Sequence, residues 1–139
     1  MAAYRHEYKH EINTSDFITL SMRLNAALKA DEFARADGAY EITSLYFDDV
    51  YDTALKEKIS GVNCRDKFRL RRYNNDTEHI KLEKKSKRGG LCLKECAAIT
   101  AAQAQSIIGG DIDFLAAQGG VMAELYSAVL VSYNGEYMG

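Results

Sequence analysis

CRDKFRLRRY, residues 64–73, carries a positive charge at every second position from Arg65 to Arg71. Phe68 and Leu70 occupy two of the intervening positions. Successive side chains of a β-strand point to opposite faces of its sheet, so this alternation is typical of a strand and not of a helix. The stretch therefore predicts a β-strand with a cationic face and a largely apolar face.

The next segment, HIKLEKKSK (79–87), repeats the pattern. Its charged row is Lys81, Glu83, Lys85 and Lys87, with Ile80 and Leu82 on the other side. The linking residues Asn74-Asn75-Asp76 favour a turn, so we expect an antiparallel hairpin. Strands in a sheet lie about 4.8 Å apart, and two cations at that spacing repel by roughly 3 kcal/mol at an effective dielectric near 20. A solvated sheet face is one interpretation, and a face that binds a polyanion is the other. The second is favoured because no Ser, Thr or Gln interrupts the charged rows.

The N-terminal segment contains HEYKH (6–10), which matches the H-E-x-x-H pattern of zinc proteases. His6 and His10 would lie about 6 Å apart on a helix but about 13 Å apart on a strand. Tyrosine, histidine and isoleucine alternate here with charged residues, which predicts a strand over residues 4–12. We therefore expect no zinc site, an aromatic row facing the core, and a charged row of Arg5, Glu7 and Lys9.

The remaining segments alternate between helical and extended patterns. A helix is expected from Thr14 or Ser15 to about Lys29, and a second one after Asp52, its expected cap, up to Gly61. Strands are expected at 41–49 and, after Gly89-Gly90, at 91–97, and Thr100 begins a helical tail. The sequence predicts one α+β domain over residues 1–139, with a largely antiparallel sheet and flanking helices.

The net charge of −2 conceals an uneven distribution. Residues 56–94 contain 13 of the 18 Lys and Arg but five of the 20 acidic residues, which suggests an anionic partner. We expect no membrane segment, because no apolar run approaches 18 residues. No apolar signal region follows the N-terminus, and three cysteines without metal-binding spacing predict reduced thiols, so the expected location is cytoplasmic.

Three segments carry a family resemblance: RHEYK (5–9), residues 44–74 from SLYFDDVYD to RLRRYN, and HIKLEKKSKRGGLCLKECAAIT (79–100). In this order they resemble the VTC (vacuolar transporter chaperone) domain. This is the polyphosphate-polymerase branch of the triphosphate tunnel metalloenzymes, which are related to CYTH domains. The resemblance implies an antiparallel barrel whose tunnel binds triphosphate or polyphosphate with the help of Mn or Mg.

The resemblance also implies site residues. The first strand of the wider superfamily reads E-x-E-x-K, and here Arg5 replaces the first Glu while Glu7 and Lys9 match. Phosphate-binding residues implied by the resemblance are Arg5, Lys9, Lys67, Arg69, Arg71, Lys81, Lys85 and Lys94. Glu7 and Glu83 are the implied metal ligands.

The implied reaction is metal-dependent phosphoryl transfer that makes polyphosphate from ATP. Triphosphate hydrolysis, ATP cyclisation and phosphate binding without catalysis remain alternatives. Nucleic-acid binding is disfavoured, because single-stranded sites need aromatic side chains among the cations. Phe68 faces the other way, which leaves Tyr73.

VLVSYNGEYMG (129–139) resembles the strand that begins the second half of the family's tunnel, except that Gly135 stands near the position of a family Arg. We therefore expect a strand at Val129–Tyr133 and a domain truncated in its second half, which supplies a metal-binding Glu. A chain of this kind is expected to be inactive alone, and to form a homodimer through an open sheet edge.

Overall fold

The computed structural model describes residues 3–32, 34–49 and 51–134, with the backbone alone for 130–134. The strands are β1 (Arg5–His6), β2 (Ile42–Tyr46), β3 (Cys64–Tyr73), β4 (Ile80–Arg88) and β5 (Leu91–Ile99). The helices are α1 (Thr14–Ala27), α2 (Thr53–Ile59), α3 (Ala101–Ile108) and α4 (Val121–Asn134), with a short 3₁₀ helix at Asp113–Ala117. The predicted mixture of helices and antiparallel sheet is confirmed.

The five strands form one antiparallel sheet in the order β1-β5-β4-β3-β2. Asn74 and Asn75 adopt positive φ angles in the β3–β4 turn, and Gly89 and Gly90 do so in the two-residue β4–β5 turn. In a two-residue turn such as the β4–β5 turn, positive φ angles let the loop follow the twist of its strands. Within the described residues the sheet is open, with β1 and β2 at its edges, so the predicted barrel is not confirmed.

The hydrophobic core lies on one face of this sheet, beneath α3, the 3₁₀ helix and α4. Leu70 and Leu82 are directly opposite each other on β3 and β4, and both are buried. Leu115 and Leu125 from the helical segments complete the most enclosed part of this core. The helices thus cover the apolar face predicted from the alternation, and the charged rows lie on the other face.

The N-terminal strand is much shorter than predicted. β1 contains Arg5 and His6, which pair with Cys92 and Leu91, and residues 7–13 have no regular secondary structure. The segment is not helical, but the expected aromatic core face is wrong, because His6 is exposed and Tyr8 is 76% exposed. The core lies under the central strands, so an aromatic row at the β1 edge remains in solvent.

The first two helices differ from expectation at their ends. α1 is capped by Asn13, in a reciprocal capping box with Asp16, and its apolar side chains remain exposed. Asp52 precedes α2 but makes no side-chain cap. Instead, Asp48 accepts hydrogen bonds from the amides of Ala54 and Leu55, and Asp49 accepts one from Thr53. These carboxylates satisfy N–H groups that lack helical partners.

The predicted strand at Val129–Tyr133 is wrong, because these residues lie in α4; residues 135–139 are outside the described part of the chain. Val121, Leu125 and Val129 recur every four residues and pack on the core. This helical repeat outweighs the β preference of the β-branched Val129 and Val131. Of the helices described, none is both long enough and apolar enough to cross a membrane.

Candidate functional site

The strand register places the charged rows side by side on the face away from α3 and α4. Lys67 is opposite Lys85, and Arg69 is opposite Glu83. On the next strand, Lys94 is opposite Lys85. Each row comes from one strand's alternation, and the antiparallel pairing brings the rows into contact.

A groove of about 520 Å³ lies on this charged face. Its wall includes Tyr46, Gly90, Cys92 and one carboxylate, that of Glu7. Seven cationic side chains also line it: Lys9, Lys58, Arg65, Lys67, Arg69, Lys85 and Lys87. We call this set of residues the cationic groove. Its charge is far from balanced, as expected of a surface that attracts anions.

Glu83 lies at the centre of an ion-pair network beside the groove. Its side chain is 1% exposed, and Oε2 accepts a hydrogen bond from Arg69 Nε at 2.7 Å and forms an ion pair with Nη2 at 2.6 Å. Lys94 Nζ lies 2.9 Å from Oε1, a close ion pair without the directional geometry of a hydrogen bond. Burial raises the pKa of Glu83, but these cations outweigh that effect and lower the pKa below its ordinary value.

Two further contacts hold the cations of this face. Arg69 Nη1 donates to the hydroxyl of Tyr46 at 3.0 Å, and this bond lowers the pKa of Tyr46. Glu7 pairs with Lys85 at 2.6 Å and also with Lys9. One N-terminal carboxylate therefore bridges two cations, one of which is 78 residues away.

The side chain of Lys67 makes no hydrogen bond or ion pair with any part of the chain that the structure describes. Burial lowers its pKa, and the positive charges of Lys58, Arg65 and Lys85 lower it further. Arg65 uses its guanidinium to bind the backbone carbonyls of Glu57 and Val62, at 3.3 and 3.2 Å. The repulsion among these cations would be relieved by a bound anion.

A family model described as the VTC domain matches residues 4–134. The chain belongs to the VTC domain family. No curated protein and no solved structure gave a significant match. The family resemblance of the sequence is thus confirmed over nearly the whole chain.

This VTC domain brings some of the predicted site residues together in the cationic groove and leaves others outside it. Lys9, Lys67, Arg69, Lys85 and Glu7 line the cationic groove. The others lie outside it: Arg5 on the edge strand, Lys81 further along the charged face, Arg71 bonded to Ser44 at 3.1 Å, and Lys94 and Glu83 paired with each other.

Six lining residues of this VTC domain were not among the predicted site residues: Tyr46, Lys58, Arg65, Lys87, Gly90 and Cys92. The alternation had placed Arg65 and Lys87 on the charged face. Lys58 comes from α2, whose approach to β3 no local pattern reveals. Tyr46 lies in the groove because β2 pairs with β3 in a register that sets it opposite Arg69.

A second depression, of about 370 Å³, lies on the helical side between β4 and α4. Its charges are compensated, because Lys84 pairs with Glu124 and approaches Asp66, which also binds Arg88 at 2.8 Å. These contacts attach α4 to the sheet. The two depressions therefore differ in character, since only the cationic groove combines many cations with so few carboxylates.

The VTC domain offers limited protein ligands for a divalent metal. Among the described residues no three His, Cys, Asp or Glu side chains form a group able to hold an ion. Mg²⁺ often binds through one or two carboxylates together with phosphate oxygens. Glu7 is the carboxylate of the groove lining that has the oxygen ligands such an arrangement requires.

Proposed function

We propose that the cationic groove binds the phosphate chain of triphosphate, polyphosphate or ATP. The observation that carries this proposal is its lining of seven cationic side chains and one carboxylate. Phosphate oxygens accept charge-assisted hydrogen bonds from Lys and Arg, and a linear polyanion can contact several cations at once. The VTC family match supports the same ligand class.

In this proposal the phosphate chain lies along β3 and β4. Lys67, Arg69, Lys85 and Lys9 contact it within the groove, and Arg71, Lys81 and Lys94 extend the positive surface along the same sheet face. Arg5 adds charge at the β1 edge. Phosphoryl transfer requires little covalent chemistry from the protein, because it depends mainly on positioning the reactants and stabilising their charge.

The proposed reaction is transfer of a phosphoryl group from ATP to a growing polyphosphate chain. A bound Mn or Mg would neutralise charge on the transferred group, and Glu7 is the groove carboxylate that would hold it. Hydrolysis of triphosphate, cyclisation of ATP, and binding without catalysis would use the same groove. An ATP-turnover assay with Mn, which analyses polyphosphate, pyrophosphate and orthophosphate separately, distinguishes these outcomes.

Calorimetric titration with tripolyphosphate tests the binding proposal directly. Binding should weaken steeply between dilute and physiological salt, because several ion pairs form at once. Orthophosphate should bind much more weakly. A short single-stranded oligonucleotide should fail to displace tripolyphosphate. An affinity that is insensitive to salt, or equal affinity for the oligonucleotide, would contradict a multi-cation phosphate site.

A second copy of the chain is a proposed partner, because β1 and β2 are the edges of the described sheet. An unpaired strand edge presents free N–H and C=O groups that another strand can bind. Sedimentation at several concentrations tests this proposal. We also propose a reducing, cytoplasmic setting, in keeping with the free thiols of Cys64, Cys92 and Cys96.

A further inference from the structure

Arg69 is held at three points by two neighbouring side chains. Nε donates to Glu83, Nη2 forms an ion pair with the same carboxylate, and Nη1 donates to Tyr46. A guanidinium has five N–H donors, so donors on Nη1 and Nη2 remain for a ligand. The phenol of Tyr46 uses an oxygen lone pair in its bond with Arg69, so its own hydrogen also remains available.

We propose that Glu83 is a positioning residue that fixes Arg69 and Lys94 for phosphate binding, and that the Tyr46 hydroxyl contacts the phosphate beside Arg69. Both carboxylate oxygens of Glu83 have cationic partners, as do those of Glu7, but the Glu83 side chain is 1% exposed whereas that of Glu7 is 27% exposed, so Glu83 is enclosed by its partners. A metal ion would have to displace one of those cations to reach it. This assigns Glu83 a role different from the metal ligand implied by the family resemblance, and it rests on the proposed function of the groove.

The direction in which Glu83→Gln changes the affinity for a polyanion distinguishes a positioning role from a purely electrostatic one. Replacing Glu83 by Gln removes a negative charge from beside the groove. If Glu83 acted through its charge alone, the variant would bind a polyanion more tightly. If Glu83 positions Arg69 and Lys94, the variant must order two flexible side chains on binding, so the affinity falls.

The experiment measures tripolyphosphate affinity of the full chain in EDTA and in Mn. Glu83→Gln should bind about tenfold more weakly, by the same factor in both buffers, because two side chains lose their preorganisation. Tyr46→Phe should bind about three- to fivefold more weakly, as expected for one lost hydrogen bond to a charged group. Glu95→Gln, with the same charge change on the opposite face of β5, and Tyr8→Phe, at an exposed position outside the groove, are the matched controls.

Unchanged or tighter binding by Glu83→Gln would overturn the positioning role. Weakening in Mn alone would identify a metal ligand instead. A wild-type chain that binds no tripolyphosphate contradicts the proposed function itself, a result distinct from either. Tyr46 is half-exposed, so Tyr46→Phe should fold normally and keeps the test decisive if Glu83→Gln unfolds. The Arg69 Nε–H signal in NMR, which should be protected in the free wild type and not in Glu83→Gln, gives a readout independent of ligand.

Discussion

At the residue scale, the charged face holds its cations in two different ways. Arg69 and Lys94 share a buried carboxylate, whereas Lys67 faces other cations without an acidic partner among the described residues. An ion pair orders a cation but reduces its net attraction for an anionic ligand. Unpaired cations keep their full attraction for an anion, and their mutual repulsion destabilises the folded chain. The first kind can orient a phosphate chain, and the second kind can attract it.

Glu83 should make stability depend on pH in the acidic range. Its pKa in the folded chain is below the ordinary value of 4.5, so its stabilisation is complete above that value and is lost as the pH falls through the lowered one. Glu83→Gln should therefore flatten the acid dependence of the free energy of unfolding, measured with urea at a series of pH values. Glu95→Gln provides the matched loss of one charge, and an identical slope in both variants would contradict a special contribution from Glu83.

Lys67 should lower the stability of the folded chain while it strengthens the binding of tripolyphosphate. Its pKa is lowered in the folded chain, so the unfolded chain holds this proton more firmly and stability rises as the pH rises toward the ordinary value of 10.5. Lys67→Met should stabilise the fold at neutral pH by less than about 1 kcal/mol, since water screens the repulsion. The same variant should bind tripolyphosphate more weakly.

Lys29→Met removes a charge from an exposed position outside the groove and is the control for Lys67→Met. Urea unfolding and calorimetry measure the two effects separately. Destabilisation by Lys67→Met together with unchanged affinity would show that Lys67 is a structural residue instead of a ligand-binding one.

At the element scale, the β4–β5 hairpin places β5 within reach of the groove. Its two-residue turn brings Arg88 and Leu91 opposite each other, so the register of β5 against β4 depends on Gly89 and Gly90. That register sets Lys94 opposite Lys85 and beside Glu83. A slip of one residue would move every side chain of β5 to the other face.

Substitutions at Gly89 should depend on backbone preference and not on side-chain space. Its φ is 56°, and an added Cβ would meet no atom within 4 Å. Gly89→Asn should be nearly neutral because Asn tolerates this conformation, whereas Gly89→Val should cost about 1–2 kcal/mol. Urea unfolding compares the two. Gly119→Ala, at an open position without a positive φ, is the control, and equal costs for Asn and Val would contradict the assignment.

At the scale of the whole molecule, the sheet separates a stabilising face from a binding face. Leu82 and Lys85 lie three residues apart on β4, one in the core and one in the groove. The central strands therefore connect the position of the groove cations to the packing of α3 and α4. Stability and ligand binding should nevertheless respond to different substitutions.

Leu82→Ala should lower the free energy of unfolding by about 2–5 kcal/mol, because it leaves a cavity at a side chain with 0% exposure. The folded fraction should still bind tripolyphosphate. Lys85→Ala should do the reverse, with weaker binding and little change in stability, since its side chain is 39% exposed. Thermal unfolding and calorimetry on both variants check this, and similar behaviour of the two would refute the separation of faces.

The sequence by itself determined the features that depend on neighbouring residues. The alternation at 64–73 and 79–87 predicted β3, β4 and their charged face, because the side-chain period of a strand is two. Asn74-Asn75-Asp76 predicted the β3–β4 hairpin, Gly89-Gly90 predicted the turn into β5, and Thr100 predicted the start of α3. These features are local, so the chain's own pattern was enough.

The tertiary structure alone decided which charges meet and which surfaces are covered. Glu7 reaches Lys85 across 78 residues, and Lys58 enters the groove because α2 packs near β3, which no local pattern encodes. Val129 belongs to a helix because its turn of α4 packs on the core, despite the strand preference of Val129 and Val131. Tyr8 is exposed although its alternation is that of a half-buried strand. Burial and ion pairing depend on distances between segments remote in sequence, and packing fixes those distances.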